Sequence, residues 1–191
     1  MKPIIIVNLL TILFISACVK KPDITSSKHH EDQVVSFDYS GNWKITENYL
    51  DPDVENAHKI TIESPNSNTI LMIKHYSFPF KIKLIDFVNT FSKSRNESIQ
   101  KSYQISRSEK INIITNKREV VETKILNKTV SGIKEEFDVQ LSNGITSLFC
   151  SYYMIEDSAW TLIIIAQSRS EDWEIEKPGF QLVYESLKIK K

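Results

Sequence analysis

The sequence predicts an α+β fold, a three-layer α/β/α sandwich around a mainly antiparallel sheet. Three observations carry this. Strand-like segments follow one another at 109–115, 118–126, 133–141, 145–155 and 159–167. The period changes once, between Lys83 and Gln100, from that of a strand to that of a helix. The last strand, Ala159–Ala166 (AWTLIIIA), hardly alternates, and a strand apolar on both sides must be covered on both faces.

Taken in order, periodic structure begins at Val34. Val35, Phe37 and Tyr39 alternate before Ser40-Gly41-Asn42 turns the chain into Trp43-Lys44-Ile45. Ile60 and Ile62 alternate with Thr61 and Glu63, Pro65-Asn66-Ser67-Asn68 is a turn cluster, and 69–76 reads as the returning strand. Leu84, Phe87, Val88 and Phe91 fall at i, i+3, i+4 and i+7, one apolar stripe of an amphipathic helix. Phe137, Val139 and Leu141 point one way, Asp138 and Gln140 the other. Asn143-Gly144 is then a strong hairpin signal, because both residues tolerate positive φ. Glu156-Asp157-Ser158 supplies the next turn. At the C-terminus Ser168 and Glu171 have capping-box spacing. Pro178-Gly179 interrupts the apolar face begun by Trp173 and Ile175 and resumed by Phe180, Val183, Tyr184 and Leu187. Proline is tolerated in a first helical turn but not in the interior, so two helical pieces are expected.

The N-terminus carries an address. Met1-Lys2-Pro3 precedes an apolar run from Ile4 to Ile15 and then Ser16-Ala17-Cys18, the three parts of a secretory signal. The run is short of the roughly 20 residues a membrane-spanning helix needs. Ile15-Ser16-Ala17-Cys18 resembles the bacterial lipobox. That resemblance implies a signal peptide over 1–17, cleavage before Cys18, and attachment of diacylglycerol and palmitate-type acyl lipid to the Cys18 thiol. Val19 stands where aspartate would resemble an inner-membrane retention signal, which favours the outer membrane, facing the periplasm, in an organism that has one. The polar stretch after it predicts a lipidated cysteine and flexible tether over 18–33, with the globular domain over 34–191.

Composition narrows the function. The precursor has 24 basic and 24 acidic residues, and loss of the leader removes only Lys2, so no basic excess marks a nucleic-acid binder. Four dispersed glycines cannot build a phosphate-cradling loop. Once Cys18 carries lipid, Cys150 has no disulfide partner; within Leu148-Phe149-Cys150-Ser151-Tyr152 it reads as a buried small hydrophobe. His29-His30-Glu31-Asp32 has metal-ligand chemistry, but in a floppy tether nothing would orient the rings, so a solvated linker is the better reading. His58 and His75 lie on the two strands of one hairpin and read as surface or edge histidines. Asp51-Pro52-Asp53-Val54-Glu55 fails as a calcium loop because Asn56 and Ile62 stand where glycine and glutamate are required. No nucleophile elbow or HExxH is present. Tyr76, Phe78 and Phe80, and likewise Tyr152 and Tyr153, read as core and rim aromatics, and Lys188, Lys190 and Lys191 as a solvated terminus.

Phe37-x-Tyr39-x-x-x-Trp43, a first helix around Asp86-Phe87, a strand meander, and a closing helix running into Ser186-Leu187-Lys188-Ile189 together resemble the PsbP-like family, DcrB-like lipoproteins included. The resemblance spans roughly residues 34–190. It implies the α/β/α sandwich and a binding or assembly-support role, and it transfers no catalytic residue, cofactor or metal. The expected protein is a non-catalytic, membrane-anchored envelope lipoprotein that binds another envelope protein. The alternative is a carrier of a small ligand or metal, in a pocket between sheet and helices.

Overall fold

The computed structural model describes residues 20–50, 57–66, 69–107, 111–142 and 144–190. Ten strands and two helices are described: β1 Lys28–Glu31, β2 Val35–Tyr39, β3 Lys44–Leu50, β4 Ala57–Glu63, β5 Ile70–Tyr76, α1 Leu84–Arg107, β6 Asn112–Ile125, β7 Lys128–Leu141, β8 Gly144–Glu156, β9 Thr161–Arg169, α2 Trp173–Ser186 and β10 Lys188–Ile189. Seven strands form one antiparallel sheet in the order β3-β4-β5-β9-β8-β7-β6. The fold is α+β, as expected.

The last strand of the meander, β9, lies at the centre of that sheet, and every residue from Thr161 to Ala166 is buried. Ile163 and Ile165 pack with Val88 of α1 and with Phe137, Val139, Leu148, Cys150 and Tyr152. On the other face Leu162, Ile164 and Ala166 join Ile60, Ile62, Leu71 and Ile73 under Trp173, Phe180 and Val183 of α2. The covering layer on this second face is helix plus sheet. A separate three-stranded sheet, β1-β2-β10, brings Val35 and Phe37 into the same core, so the single sheet read from the sequence is corrected to two.

Three other expectations are corrected. The stretch read as flexible tether, 18–33, is bonded to the domain over its described part, 20–33. Lys28–Glu31 pairs antiparallel with Ser36–Tyr39, and upstream the Lys20 amide donates to Asn66 Oδ1 at 2.9 Å. Its polarity misled because the edge of a small sheet is solvated, and polar side chains suit it. Ser168 caps no helix: β9 runs on to Arg169, paired with Leu148, and Ser168 Oγ meets Thr69 Oγ1 at 3.0 Å. The cap residue of α2 is Asp172, without a side-chain capping bond.

Pro178 also fails to split α2, which is continuous from Trp173 to Ser186. Trp173, Glu176, Phe180, Val183 and Tyr184 form one buried stripe either side of the exposed proline. Burying a large apolar side chain stabilises by about 1.5–3 kcal/mol, and several together outweigh the roughly 3 kcal/mol cost of an interior proline. Gly179 completes the arrangement, because a Cβ there would sit 2.4 Å from the Trp43 ring.

Ile164 and Ile165 are buried on opposite faces. Ile164→Ala and Ile165→Ala are each expected to lower unfolding free energy in urea by about 2–5 kcal/mol. A near-silent result at either position would mean that its face is not a packed core.

Candidate functional site

Cys18 and the 51–55 acidic turn lie outside the described residues. The groups that carry chemistry within them gather in three places.

The first is a groove of about 240 Å³ between α2 and β6–β8. α2 and the small sheet cover only part of their face, and the β6–β7 side beyond α2 is left open. Tyr153, Trp173, Phe180 and Tyr184 line the groove, with Glu119, Glu122, Lys177 and Gln181 among its polar residues. Lys134 Nζ stands 3.8 Å from the Phe149 ring centroid and 5.1 Å from that of Trp173, a cation held over two aromatic faces. Burial pushes the Tyr153 and Tyr184 hydroxyls above their ordinary range, so both stay protonated. Aromatic faces with a cation and mixed rim charges suit non-covalent recognition.

The second is the histidine cluster. His58 and His75 are direct cross-strand partners, as their hairpin placement suggested. The ordered β1 brings His30 and Asp32 to them: Asp32 Oδ2 lies 2.9 Å from His30 Nε2 and 3.7 Å from His58 Nδ1. Asp32 Oδ1 accepts the amides of Val34 and Val35 at 2.8 and 2.9 Å. Burial would raise its carboxyl, but these amides and His30 hold it below the usual range. His58 Nε2 meets Asn48 Oδ1 at 2.7 Å. His75 is only 8% exposed, and its Nε2 has no hydrogen-bond partner in the protein. The sequence reading of both rings as surface or edge histidines is therefore corrected for His75, which faces the core side under Trp160. Among the described residues no three His, Cys, Asp or Glu side chains are arranged to hold a metal ion.

The third, missed in the sequence, is a buried charge network under α1. Glu135 is fully buried. It accepts from Ser92 Oγ at 2.6 Å, Thr115 Oγ1 at 3.0 Å and Arg95 Nη2 at 3.1 Å, with Arg118 at 3.4 Å. Burial alone would push its carboxyl up. The Ser92 bond and the two guanidinium groups outweigh that and hold it below the ordinary value. Arg95 also donates to Tyr152 Oη at 2.8 Å and lies 3.7 Å over the Phe137 ring. A signal existed: Glu135 is in phase with Phe137 and Val139, so it had to enter the core, and Arg95 continues the apolar stripe of α1. Beside the network sits Cys150, fully buried, its thiol pushed up to about 12 by burial.

The remaining expectations on aromatics and lysines resolve simply. Tyr76, Phe78 and Phe80 contact one another, with Tyr76 and Phe80 4.2 Å apart. Lys190 pairs with Glu31 at 2.7 Å.

No family model and no characterised protein sequence matches this chain. In shape it is similar to the solution structure of cyanobacterial PsbP (CyanoP) from Synechocystis sp. PCC 6803, at 12% identity and TM-score 0.47, covering 87% of this chain and 94% of that one. A crystal structure from Bacteroides thetaiotaomicron matches at 11% identity and TM-score 0.45; it covers 82% of this chain, which spans 45% of that one. The crystal structure of LpqN, involved in cell envelope biogenesis of Mycobacterium tuberculosis, matches at 9% identity and TM-score 0.38, covering 86% and 90%. These likenesses describe shape and assign no residue a role.

Two outcomes follow from the site. A maleimide reagent should label Cys150 slowly in the native protein and at least tenfold faster in denaturant, since an uncharged buried thiol is a poor nucleophile; rapid native labelling would show an accessible thiol. His75 is pushed below the ordinary histidine value of 6.5, first by burial and then by neighbouring His58, against the pull of Asp32. The unfolded chain therefore binds its proton at higher pH than the folded chain. The stability contributed is complete above pH 6.5 and declines as pH falls below it. His75→Leu should flatten that decline in denaturation curves taken between about pH 5 and 6.5; an unchanged slope would assign the effect elsewhere.

Proposed function

We propose that this chain is a lipid-anchored lipoprotein of the bacterial cell envelope whose PsbP-like domain is a non-catalytic module that binds a protein partner. The observation that carries the reading is Ile15-Ser16-Ala17-Cys18, set directly after a charged start and a short apolar run. Two acyl chains on one cysteine make a stable anchor, each buried methylene contributing about 0.8 kcal/mol. Among the described residues no helix is long and apolar enough to cross a membrane.

The groove beside α2 is the proposed recognition surface. At about 240 Å³ it is below the roughly 300–1,000 Å³ of ordinary small-ligand pockets and suits one or two side chains of a partner. Trp173 and Tyr153, mostly buried, form its floor, and Lys134 sets a cation over it. Two groups with nucleophile or acid chemistry, Cys150 and Glu135, are buried in packing roles, which favours a structural role for that network.

Cells fed radiolabelled palmitate should incorporate it into the wild-type protein, and Cys18→Ser should abolish incorporation and move the protein from the membrane to the soluble fraction. A wild-type protein that takes up no label would end the lipoprotein reading.

A further inference from the structure

We propose that this domain has a fixed membrane-facing end, the end of the seven-stranded sheet that carries the β4–β5 turn and the β7–β8 hairpin, and that it rests on the bilayer there. The proposal rests on lipid attachment at Cys18 and adds an orientation to it.

The ends of the sheet follow from register. Glu63 pairs Lys44, Ile70 pairs Gln167, Leu148 pairs Arg169 and Leu141 pairs Gly144, so these four junctions share one end. The N-terminal segment is bonded to that same end. Asn66 Nδ2 donates to the Lys20 carbonyl at 2.7 Å while the Lys20 amide donates to Asn66 Oδ1 at 2.9 Å. Asn66 Nδ2 also reaches Glu176, fully buried on α2 and held by Ser64 Oγ at 2.6 Å, so the docking residue is itself anchored in the domain. One step on, Asn42 Nδ2 donates to the Lys21 carbonyl at 2.8 Å, the Asp23 amide to Asn42 Oδ1 at 3.0 Å, and the Gly41 amide to the Asp23 carbonyl at 2.8 Å. A Cβ at Gly41 would fall 2.1 Å from the Ser26 carbonyl oxygen, so the two segments lie in close contact.

Only Val19 separates the acylated residue from the first docked one. Two residues reach at most about 7 Å between Cα atoms. The β4–β5 turn is thereby held within about that distance of the lipid interface, and the β7–β8 hairpin lies on the same end further along the sheet. On the β3–β5 side the opposite end stands roughly 20 Å further off, the length of a seven-residue strand such as β4 at about 3.3 Å per residue.

Both ends carry exposed apolar side chains. At the docked end Lys20 and Lys21 are exposed where headgroup phosphates would lie, Ile24 is 49% exposed, and Ile145, beside the hairpin tip, is 63% exposed. At the far end Tyr49, Leu50 and Phe78 are exposed and point into the envelope space. The occupant of the docked end is the bilayer that holds the chain's own anchor.

The test uses the chain from Cys18 to Lys191, coupled through the Cys18 thiol to a maleimide phospholipid in phosphatidylethanolamine–phosphatidylglycerol vesicles that contain nitroxide lipid. A genetically encoded fluorescent amino acid is placed at position 145 or at position 50. Quenching should be at least threefold stronger at 145. Asn66→Ala, or a ten-residue Gly-Ser insertion between Val19 and Lys20 that leaves the docking contacts intact, should bring the two positions towards equality. Equal quenching in the unmodified chain, or stronger quenching at 50, overturns the orientation, as does a bias that survives both changes. Because the lipid is attached chemically, this result is independent of whether cells acylate Cys18, which palmitate labelling decides alone.

Discussion

The arrangement of this molecule depends on the burial of β9. Six consecutive residues, Thr161 to Ala166, are out of water at the centre of a seven-stranded sheet. Each large side chain there contributes about 1.5–3 kcal/mol only if its face is covered, so neither face can be left to solvent. The 24-residue α1 meets the requirement on one side. On the other, the 14-residue α2 is too short to do so alone, and the three-stranded sheet completes the layer. β1 and β10 are therefore parts of the core's cover, one from each end of the domain.

Covering layers must be held in register as well as attracted, and apolar contact is not directional. The polar groups inside supply the direction. Glu135 joins Ser92 and Arg95 of α1 to Thr115 and Arg118 of β6 and, through Arg95, to Tyr152 of β8. A buried ion pair of this kind adds little net stability over a well-packed apolar replacement, whereas removing one partner leaves an uncompensated charge. Its service is to fix where α1 lies along the sheet. On the other face Trp43 against Gly179 sets how closely α2 approaches, and Glu176 ties α2 to the 64–66 turn. Burial raises the Glu176 carboxyl, first against the bonds from Ser64 and Asn66 and with the charge of Asp172 adding to it.

The sheet, α1 and the two-sided cover were legible because they are written in apolar spacing, which local sequence records directly. The ordering of Lys28–Glu31 was not. Those residues are polar, and they form a strand only because β2 offers an edge and because Asp32 closes the turn on the Val34 and Val35 amides. The His58–His75 pairing was legible in the hairpin, but the part His30 and Asp32 play was not, since it exists only once β1 is placed beside the β4–β5 hairpin. The capping box at Ser168 failed through competition: a ladder position opposite Phe149 satisfies its backbone within the sheet. Pro178 failed through tertiary override, which no local propensity contains. Glu135 could have been found, because its phase was visible and only its implication, a cation on α1, was left undrawn.

The placement of the reactive groups bears on how such a domain would work. Cys150, Tyr152 and Glu135 sit together, buried beneath α1, with Arg95 of α1 reaching down to Glu135 and Tyr152. Among the surfaces left open are a groove along α2 and exposed apolar residues at both ends of the sheet. Under the proposed reading such a module would act by holding a partner in place, and the bonded segment from Lys20 onward would make the geometry of holding more specific. A long flexible tether would sample all orientations and dilute the groove over a large volume, because effective concentration falls with linker length. If Cys18 is acylated as proposed, a domain leashed by one residue would present its groove close to the membrane and its far end away from it. Partner recognition would then be restricted to proteins that approach the same membrane from the same side, a selectivity that comes from the docking of Lys20 on Asn66 and needs no additional contact.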